Sequence, residues 1–428
     1  MAQGKSSKRR DESAELNMLP LCRRLDTAMG IWARLFPRVL RRVTLQQLLD
    51  TARRRAKLSN FGSDDFLADL NLRLETMQEE SLTHFGRVGF RRQLIQCLER
   101  RLFLQRELEL NPCIVNESIR APIVIVGFFR SGTTLLQNLL GLAPGARLLW
   151  EWESMPPFPR AEVWGSSRDR RRLRFERRCR RMRRRNHPVD KLHPLDSPTE
   201  CWSLLAASFH CHSDFLVTGF GNYQRWFQKF DRQAPRRAYA LHRLQLQFLQ
   251  TRTAVGHWVL KSPEHMVQLQ SLLETYPDAR VIHLHREPHA AVASLCNLCA
   301  LIQPNVVRKL SKQKLGEQVT DYLTLWARRT VSIRDSLSEA RICDVAYSKL
   351  VTNPIETLER IYEHFGMAMT PEFYNRLLRW RDSQRLSPHR GSTYHFDQFA
   401  LSESVIDRAF DTYRDRFHTH LIDRKLTG

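Results

Sequence analysis

Apolar residues along the chain follow two spacings, one typical of helices and one typical of buried strands. Between residues 44 and 110, apolar side chains recur at intervals of three and four in TLQQLLDTARRRA, DDFLADLNLRLETMQEE and RRQLIQCLERRLFLQRELEL. Such intervals place apolar residues on one helix face, and Pro112 predicts where the last helix ends. We therefore predict an N-terminal helical region over residues 16–115, preceded by a polar, disordered tail at residues 1–15.

Beyond residue 116, short runs rich in β-branched residues alternate with helical patterns. Four runs predict strands: Ile123 to Val126, HWVLKSP from residue 257, RVIHLHREP from residue 280 and ICDVAY from residue 342. Helical spacing separates or follows them at 266–276, 290–300, 315–339, 355–365 and 371–380. Strands that alternate with helices form a parallel sheet covered on both faces. The predicted fold class is therefore α/β, with an N-terminal helical layer and one domain over residues 116–428.

The first predicted strand runs into a glycine-bounded loop, GFFRSGTT, at residues 127–134. Gly127 and Gly132 have the spacing of a P-loop, whose backbone N–H groups wrap phosphates. Thr133 stands where a P-loop has its lysine, and Arg130 lies inside the loop instead. An arginine offers a bidentate cation to phosphate or sulfate oxygens, and the helix start adds N–H donors. The sheet is therefore of P-loop type, and the loop fits an anionic group transferred without a metal.

A second anion-binding element follows the strand RVIHLHREP. Arg286 lies at the end of this strand, and Ser294 comes eight residues later on the next helix. Ligands of open α/β sheets bind outside the carboxyl ends of the strands. We expect Arg286 and Ser294 to converge on a second phosphate, although a lone arginine at a strand end more often makes a surface ion pair.

Together the two elements resemble the cofactor signatures of sulfotransferases that use 3'-phosphoadenosine 5'-phosphosulfate, PAPS. GFFRSGTT resembles the 5'-phosphosulfate loop in the branch that has an arginine there, which includes tyrosylprotein sulfotransferases and bacterial-type sulfotransferases. REPHAAVAS resembles the 3'-phosphate motif, and WVLKSPEHM, DVAYSKLVTNP, IYEHFG and YHFDQFAL are similar to further stretches of that branch in the same order. Phe129, Glu287 and Ala400 depart from the usual proline, aspartate and glycine.

The resemblance implies roles for individual residues. Arg130 stabilises the charge of the transferred and leaving groups. The residues implied in binding PAPS are Arg130, Ser131, Gly132, Thr133, Thr134, Arg286, Ser294, Tyr347 and Arg390. Tyr347 resembles an adenine-side contact, and Arg390, in the HRG at 389–391, resembles a patch over the 3'-phosphate. No metal is expected, because the resemblance implies a cofactor that is bound without one. Sulfuryl transfer should resemble phosphoryl transfer in depending mainly on positioning and charge stabilisation.

Two residues compete for the role of the base that takes the acceptor's proton. An ungapped match from the loop to tyrosylprotein sulfotransferases places their catalytic glutamate at Glu151. Glu153, two residues on, is expected to share a face with it in an extended segment. In cytosolic sulfotransferases the base is a histidine just after a strand that ends in K-[ST], but here Lys261 and Ser262 are followed by Pro263, and the histidine is shifted to His265. We favour Glu151 and keep His265 as the alternative. Lys261 is implied as a contact of the sulfuryl oxygens.

A charge of +23 is concentrated in one run, RDRRRLRFERRCRRMRRR, in which 12 of the 18 residues from Arg168 to Arg185 are arginine. We predict a helical insert that packs on few sides. It is either a solvated helix without a defined partner or a contact for a polyanion or an anionic membrane surface. The family resemblance does not predict this segment.

The remaining composition places limits on location and substrate. The longest apolar runs fall far short of the ~20 residues of a membrane span, and no apolar signal core follows the charged N-terminus. Scattered cysteines are typical of a reducing compartment, so we expect a soluble cytoplasmic protein. Aromatic residues at 150–158 and 202–209 favour an apolar acceptor cleft for a small molecule or lipid, with a glycan left open. Oligomeric state has no sequence signal.

The predicted function is PAPS-dependent sulfation of a hydroxyl or amine. Two alternatives stay open at this stage. A P-loop small-molecule kinase requires a loop lysine and a magnesium-binding residue, which we do not find. A non-catalytic sulfotransferase-like scaffold that binds polyanions is disfavoured by the retained Arg130, Arg286, Ser294 and Glu151.

Overall fold

The structure is a computed structural model that describes residues 15–35, 43–79, 82–184, 202–210, 219–220, 233–386 and 396–421. Most of the predicted N-terminal tail, the final arginine of the arginine run and Arg390 lie outside these residues.

Five strands form one parallel sheet. They are β1 (Ile123–Gly127), β2 (Ala146–Arg147), β3 (His257–Lys261), β4 (Arg280–His285) and β5 (Ile342–Ala346), and they lie in the order β2-β3-β1-β4-β5. All four neighbouring pairs are parallel. In this order β1 is central, so the loop after it lies in the middle of the carboxyl edge of the sheet.

Helices surround this sheet and precede it. The first six are α1 (Pro20–Leu35), α2 (Leu45–Ala56), α3 (Leu67–Glu79), α4 (His84–Leu110), α5 (Thr133–Leu140) and α6 (Arg170–Arg184). The others are Trp202–Ala206, Ala234–Gln250, Glu264–Val267, Leu269–Thr275, Pro288–Ile302, Lys312–Asp335, Tyr347–Thr352, Pro354–His364, Pro371–Leu386, Glu403–Ala409 and Asp411–Leu421. No helix in the described ranges is both long enough and apolar enough to cross a membrane.

Alternate residues of β1 point to two different cores. Val124 and Val126 belong to the apolar cluster on one face of the sheet, together with the helix Pro288–Ile302. Ile123 and Ile125 belong to the cluster on the other face, together with α5. Since side chains alternate between the faces of a strand, a strand buried on both faces is apolar throughout. The predicted sheet with helices on both faces is confirmed.

The N-terminal helices share a further apolar cluster. Helices α2 and α4 pack together through Leu48, Leu94 and Leu98. Helix α2 begins with a capping box in which the Thr44 side chain accepts a hydrogen bond from the backbone N–H of Gln47, which satisfies an otherwise orphaned donor. The helices predicted for this region are confirmed, whereas the division into domains at residue 115 stays a prediction.

Candidate active site

The loop after β1 turns sharply into α5, and its glycines have no space for side chains. A Cβ on Gly127 would lie 2.6 Å from the carbonyl oxygen of Leu284, and a Cβ on Gly132 would lie 2.7 Å from the Tyr347 ring. Gly132 has a φ of +89°, a left-handed conformation that glycine adopts at little cost. The loop therefore lies close to β4 and to the residue that follows β5.

Arg130 is held at the crest of this loop by residues from other elements. Its φ of +68° is unusual for a residue with a side chain, and its Nε donates to the Ser294 hydroxyl at 3.2 Å. Arg286 donates from Nη1 to the backbone carbonyl of Arg130 and stacks 4.4 Å from the centre of the Tyr347 ring. The two predicted motifs thus meet. Ser294 contacts the loop arginine directly, so residues predicted for the two phosphates lie side by side.

Ser131 and the start of α5 form the end of the loop. The hydroxyl of Ser131 donates to the carbonyl of Phe128 at 2.7 Å, which closes the turn internally. Helix α5 begins at Thr133, and Gly132 before it provides no side-chain cap. The first N–H groups of α5 therefore have no capping side chain and face the loop side of the helix. This arrangement favours an anion at the helix start.

Glu151 lies in a short 3₁₀ turn, Glu151–Ser154, that follows β2. Its carboxylate accepts a hydrogen bond from Arg178 of α6 at 2.5 Å, and 22% of its side chain is exposed. Glu153 is different, because it is buried, pairs with Arg147 and accepts a hydrogen bond from the Trp150 backbone N–H at 2.8 Å. The expectation that the two glutamates lie in an extended segment is wrong. Of the two, only Glu151 is exposed enough to meet an acceptor.

The alternative base, His265, is fully buried on the helix Glu264–Val267. Its Nδ1 lies 2.7 Å from the Tyr239 hydroxyl. The centre of the His242 ring lies 5.7 Å from the centre of the His265 ring. Lys261 ends β3, beside Ile125 in the register with β1, and it is also buried. Lys261 therefore lies next to the strand that leads into the loop, while His265 lies within the helix packing.

Comparison with known proteins decides the family. The model of the sulfotransferase family matches residues 122–371, which is more than half of the chain and includes the loop, β3, β4 and β5. The chain belongs to the sulfotransferase family.

Several mycobacterial sulfotransferases are similar to it. The omega-hydroxy-beta-dihydromenaquinone-9 sulfotransferase Stf3, from Mycobacterium bovis and from Mycobacterium tuberculosis, is 26% identical over 320 residues, which cover 69% of this chain and 74% of Stf3. The crystal structure of sulfotransferase STF1 from Mycobacterium tuberculosis has a TM-score of 0.74 at 28% identity and covers 86% of this chain and 98% of STF1. STF9 from Mycobacterium avium has a TM-score of 0.77 at 27% identity, over 89% and 98% of the two chains.

One departure of this sulfotransferase from the usual loop has a structural explanation. Phe129, at the position where proline is usual, packs its ring 5.3 Å from Trp326 and 6.1 Å from Tyr322, both on the helix Lys312–Asp335. These aromatic contacts anchor the loop to a long helix, so the loop is held without the rigid ring of proline.

Sequence reasoning missed Gln137 of this sulfotransferase. Gln137 lies one turn into α5, is completely buried, and neither of its amide atoms has a hydrogen-bond partner among the described residues. Gly141, one turn further on, lies against Leu148 of the segment that leads to Glu151. A buried amide without partners is costly. The one signal in the sequence was a polar residue among the leucines of this helix.

A second missed feature is a buried polar cluster between β4 and β5. The ligand atoms of His283, His285 and Asp344 lie within 4.8 Å of one another, close enough to share a metal ion. However, Arg334 donates to both carboxylate oxygens of Asp344, at 2.7 and 2.8 Å, and His285 lies 2.8 Å from the same carboxylate. A cation at this position would have to displace a buried arginine. We therefore interpret the cluster as an internal ion pair.

The contacts within this cluster shift the pKa values of Asp344 and His283. Burial would raise the pKa of Asp344, but the hydrogen bonds from Arg334 and His285 outweigh it and hold that pKa well below the usual value. Burial lowers the pKa of His283, and the neighbouring His285 lowers it further. The cluster therefore holds an ionised aspartate and an arginine beside neutral histidines at neutral pH, and it ties β4, which ends at the site, to β5.

Proposed function

We propose that this sulfotransferase transfers the sulfuryl group of PAPS to a hydroxyl group of a lipid-like acceptor. The observation that carries the proposal is the contact between the two motifs, in which Arg130 donates to Ser294 and Arg286 donates to the carbonyl of Arg130. This contact brings two arginines and a serine together at the carboxyl edge of the sheet, where α/β proteins bind nucleotides. When bound, PAPS supplies the sulfuryl group and leaves as 3'-phosphoadenosine 5'-phosphate, PAP.

The residues present fit a nucleotide with phosphates at two positions. Gly127 and Gly132 let the loop pack tightly against Leu284 and Tyr347, and the start of α5 with Ser131 to Thr134 offers N–H donors to the 5'-phosphosulfate. Arg286 and Ser294 are proposed for the 3'-phosphate. The Tyr347 ring is proposed for the adenine side, and Arg390 remains a proposal for the 3'-phosphate.

The chemistry proposed for the chain's own residues is proton removal and charge stabilisation. The Glu151 carboxylate takes the proton of the acceptor hydroxyl as that oxygen bonds to sulfur and the bond from sulfur to the phosphate oxygen breaks. Arg130 offsets the charge that grows on the leaving phosphate by electrostatic attraction. Lys261 is proposed to contact the sulfuryl oxygens. The burial of His265 against Tyr239 favours a structural role for this histidine.

The environment of Glu151 supports an apolar acceptor. Half-buried Trp150, Met155 and Phe158 lie just before and after the 3₁₀ turn Glu151–Ser154 in the chain. Apolar walls with few polar groups are typical of sites for lipid and aromatic ligands. Stf3, by its name, sulfates an omega-hydroxylated dihydromenaquinone, and a hydroxylated lipid is the acceptor class that we propose here.

Metal-free binding of PAP tests the nucleotide site. We expect the purified protein to bind PAP equally well with EDTA and with magnesium, and more tightly than ATP, because Arg130 replaces the lysine and metal of a P-loop kinase. Isothermal titration calorimetry measures all three affinities. Strict dependence on magnesium, or tighter binding of ATP, would support the kinase alternative, and no binding of either nucleotide would support the scaffold alternative.

A second experiment tests the acceptor class. With sulfur-labelled PAPS, we expect label to enter a long-chain lipid alcohol faster than a phenol or a monosaccharide at equal concentration, since only the lipid fills an apolar cleft. Chromatographic separation of the labelled products gives the rates, with protein-free mixtures as blanks. Preference for the monosaccharide would contradict a lipid acceptor but would not contradict the proposed PAPS site.

A further inference from the structure

One face of α6 consists of arginines alone. Five of its exposed residues recur at intervals of four and three, which places them in a single line along the helix. We call this set the arginine row: Arg170, Arg174, Arg177, Arg181 and Arg184. With a rise of about 1.5 Å per residue, the row is about 21 Å long. None of its five side chains has a hydrogen-bond or ion-pair partner among the residues that the structure describes.

The opposite face of α6 is buried, so the row is displayed rigidly. Phe175 and Cys179 belong to the apolar cluster that also contains Val124 and Val126 of β1. Arg171 is buried as well, pairs with Asp169 at 2.8 Å and stacks 4.0 Å from the centre of the Trp164 ring. A helix anchored by apolar, ionic and cation–π contacts holds its other face in a fixed orientation. The row is thus a preformed surface of like charge.

Like charges in a row are costly unless an anionic partner is near. This cost applies because no carboxylate of the described residues neutralises the row, although other arginines of the same helix are paired. Arg172 pairs with Glu176, and Arg178 pairs with Glu151. The five unpaired arginines of the row therefore lie on the face that points away from the core, and this face is where an external polyanion fits.

We infer that the arginine row is a docking surface for an anionic phospholipid membrane. A straight row of cations matches a flat layer of phosphate groups, and each basic residue near such a surface adds to binding. Surfaces for single-stranded nucleic acid usually interleave aromatic side chains for base stacking, but the aromatic residue of this helix, Phe175, is buried. The choice of a membrane rests on the proposed function, because a lipid acceptor is supplied from a bilayer.

The row also lies close to the proposed chemistry. Arg178 follows Arg177 in the chain and reaches Glu151, the candidate base, with a hydrogen bond of 2.5 Å. A membrane on the row is therefore beside the turn that carries Glu151, where a lipid hydroxyl has to arrive. Docking at this face shortens the path of an acceptor that is insoluble in water.

Vesicle binding tests the inference. We expect the protein to co-sediment with phosphatidylcholine vesicles containing 30% phosphatidylglycerol, to bind pure phosphatidylcholine weakly, and to dissociate in high salt. Replacing Arg177 and Arg181 by glutamine should weaken binding about 30-fold, since each basic residue near an anionic surface contributes about fivefold. The matched control replaces Arg24 and Arg379, which are exposed on two other helices, and should bind as the unmodified protein does.

Three outcomes would overturn the inference: equal binding to both kinds of vesicle, equal loss in the row variant and the control, or binding to duplex DNA without binding to anionic vesicles. The last outcome assigns the row to nucleic acid. PAP affinity is measured on each variant by calorimetry. Vesicle binding without PAP binding would reject the proposed function but not the docking surface. Normal PAP affinity without vesicle binding would reject only the docking surface.

Discussion

Replacing Glu151 by glutamine is expected to lower turnover by about 100-fold or more, with nearly unchanged affinity for PAP. Glutamine has almost the same shape but cannot take a proton from an acceptor hydroxyl. The fold should survive, because Glu151 and Arg178 are 22% and 45% exposed and a pair this exposed contributes about 1 kcal/mol or less. Initial rates with labelled PAPS measure turnover, and calorimetry with PAP measures affinity.

Two neighbouring variants serve as controls for this result. Glu153→Gln removes a buried partner of Arg147, so it should lower the unfolding temperature, which Glu151→Gln should not. His265→Ala leaves the Tyr239 hydroxyl without its histidine partner, so it should destabilise the fold and reduce turnover less than Glu151→Gln does. A folded but inactive His265→Ala protein, together with an active Glu151→Gln protein, would transfer the role of base to the histidine.

Replacing Arg286 by alanine is expected to weaken PAP binding by about 10- to 150-fold, the equivalent of about 1.5 to 3 kcal/mol for a lost charge-assisted contact. Adenosine 5'-phosphosulfate lacks the 3'-phosphate, so its affinity should fall much less. It should still fall somewhat, because Arg286 also donates to the carbonyl of Arg130 and so supports the loop. Competition calorimetry with the two nucleotides measures both losses.

The chain offers a matched control in Arg341. Arg341 lies just before β5, at the opposite edge of the sheet, and its guanidinium also donates to a backbone carbonyl, that of Pro277. Arg341→Ala should leave both affinities unchanged. If Arg286→Ala weakens the two nucleotides equally, Arg286 acts on the loop alone, and the 3'-phosphate has to be held by other residues.

The strands could be predicted because burial on both faces requires a recognisable run of apolar residues. A parallel strand covered by helices on both faces is apolar at every position, and Ile123 to Val126 shows this. Polar residues within a strand make this pattern harder to recognise. His283 and His285 are buried in β4 through contacts with Arg334 and Asp344, and no periodicity announces partners about 50 or more residues away.

Turns held by side chains were harder to predict. The segment that follows β2 was expected to be extended, yet the carboxylate of Glu153 accepts the Trp150 N–H and closes a 3₁₀ turn. Arg171 shows the same limitation, because one arginine among many gives no sign that Asp169 and Trp164 will bury it. Such contacts depend on single side chains, to which averaged patterns are insensitive.

By itself the sequence determined the class of the protein: a parallel α/β sheet, a glycine loop with Arg130 in place of a lysine, and the order of motifs shared with sulfotransferases. These features are local, since each depends on residues within one strand, loop or helix. The tertiary structure alone decided which of them meet. Arg130 reaches Ser294 across 164 residues, and Glu151 reaches Arg178 across 27. The physical reason is that such contacts depend on the strand order β2-β3-β1-β4-β5 and on how each helix is rotated, and both result from packing of the whole core.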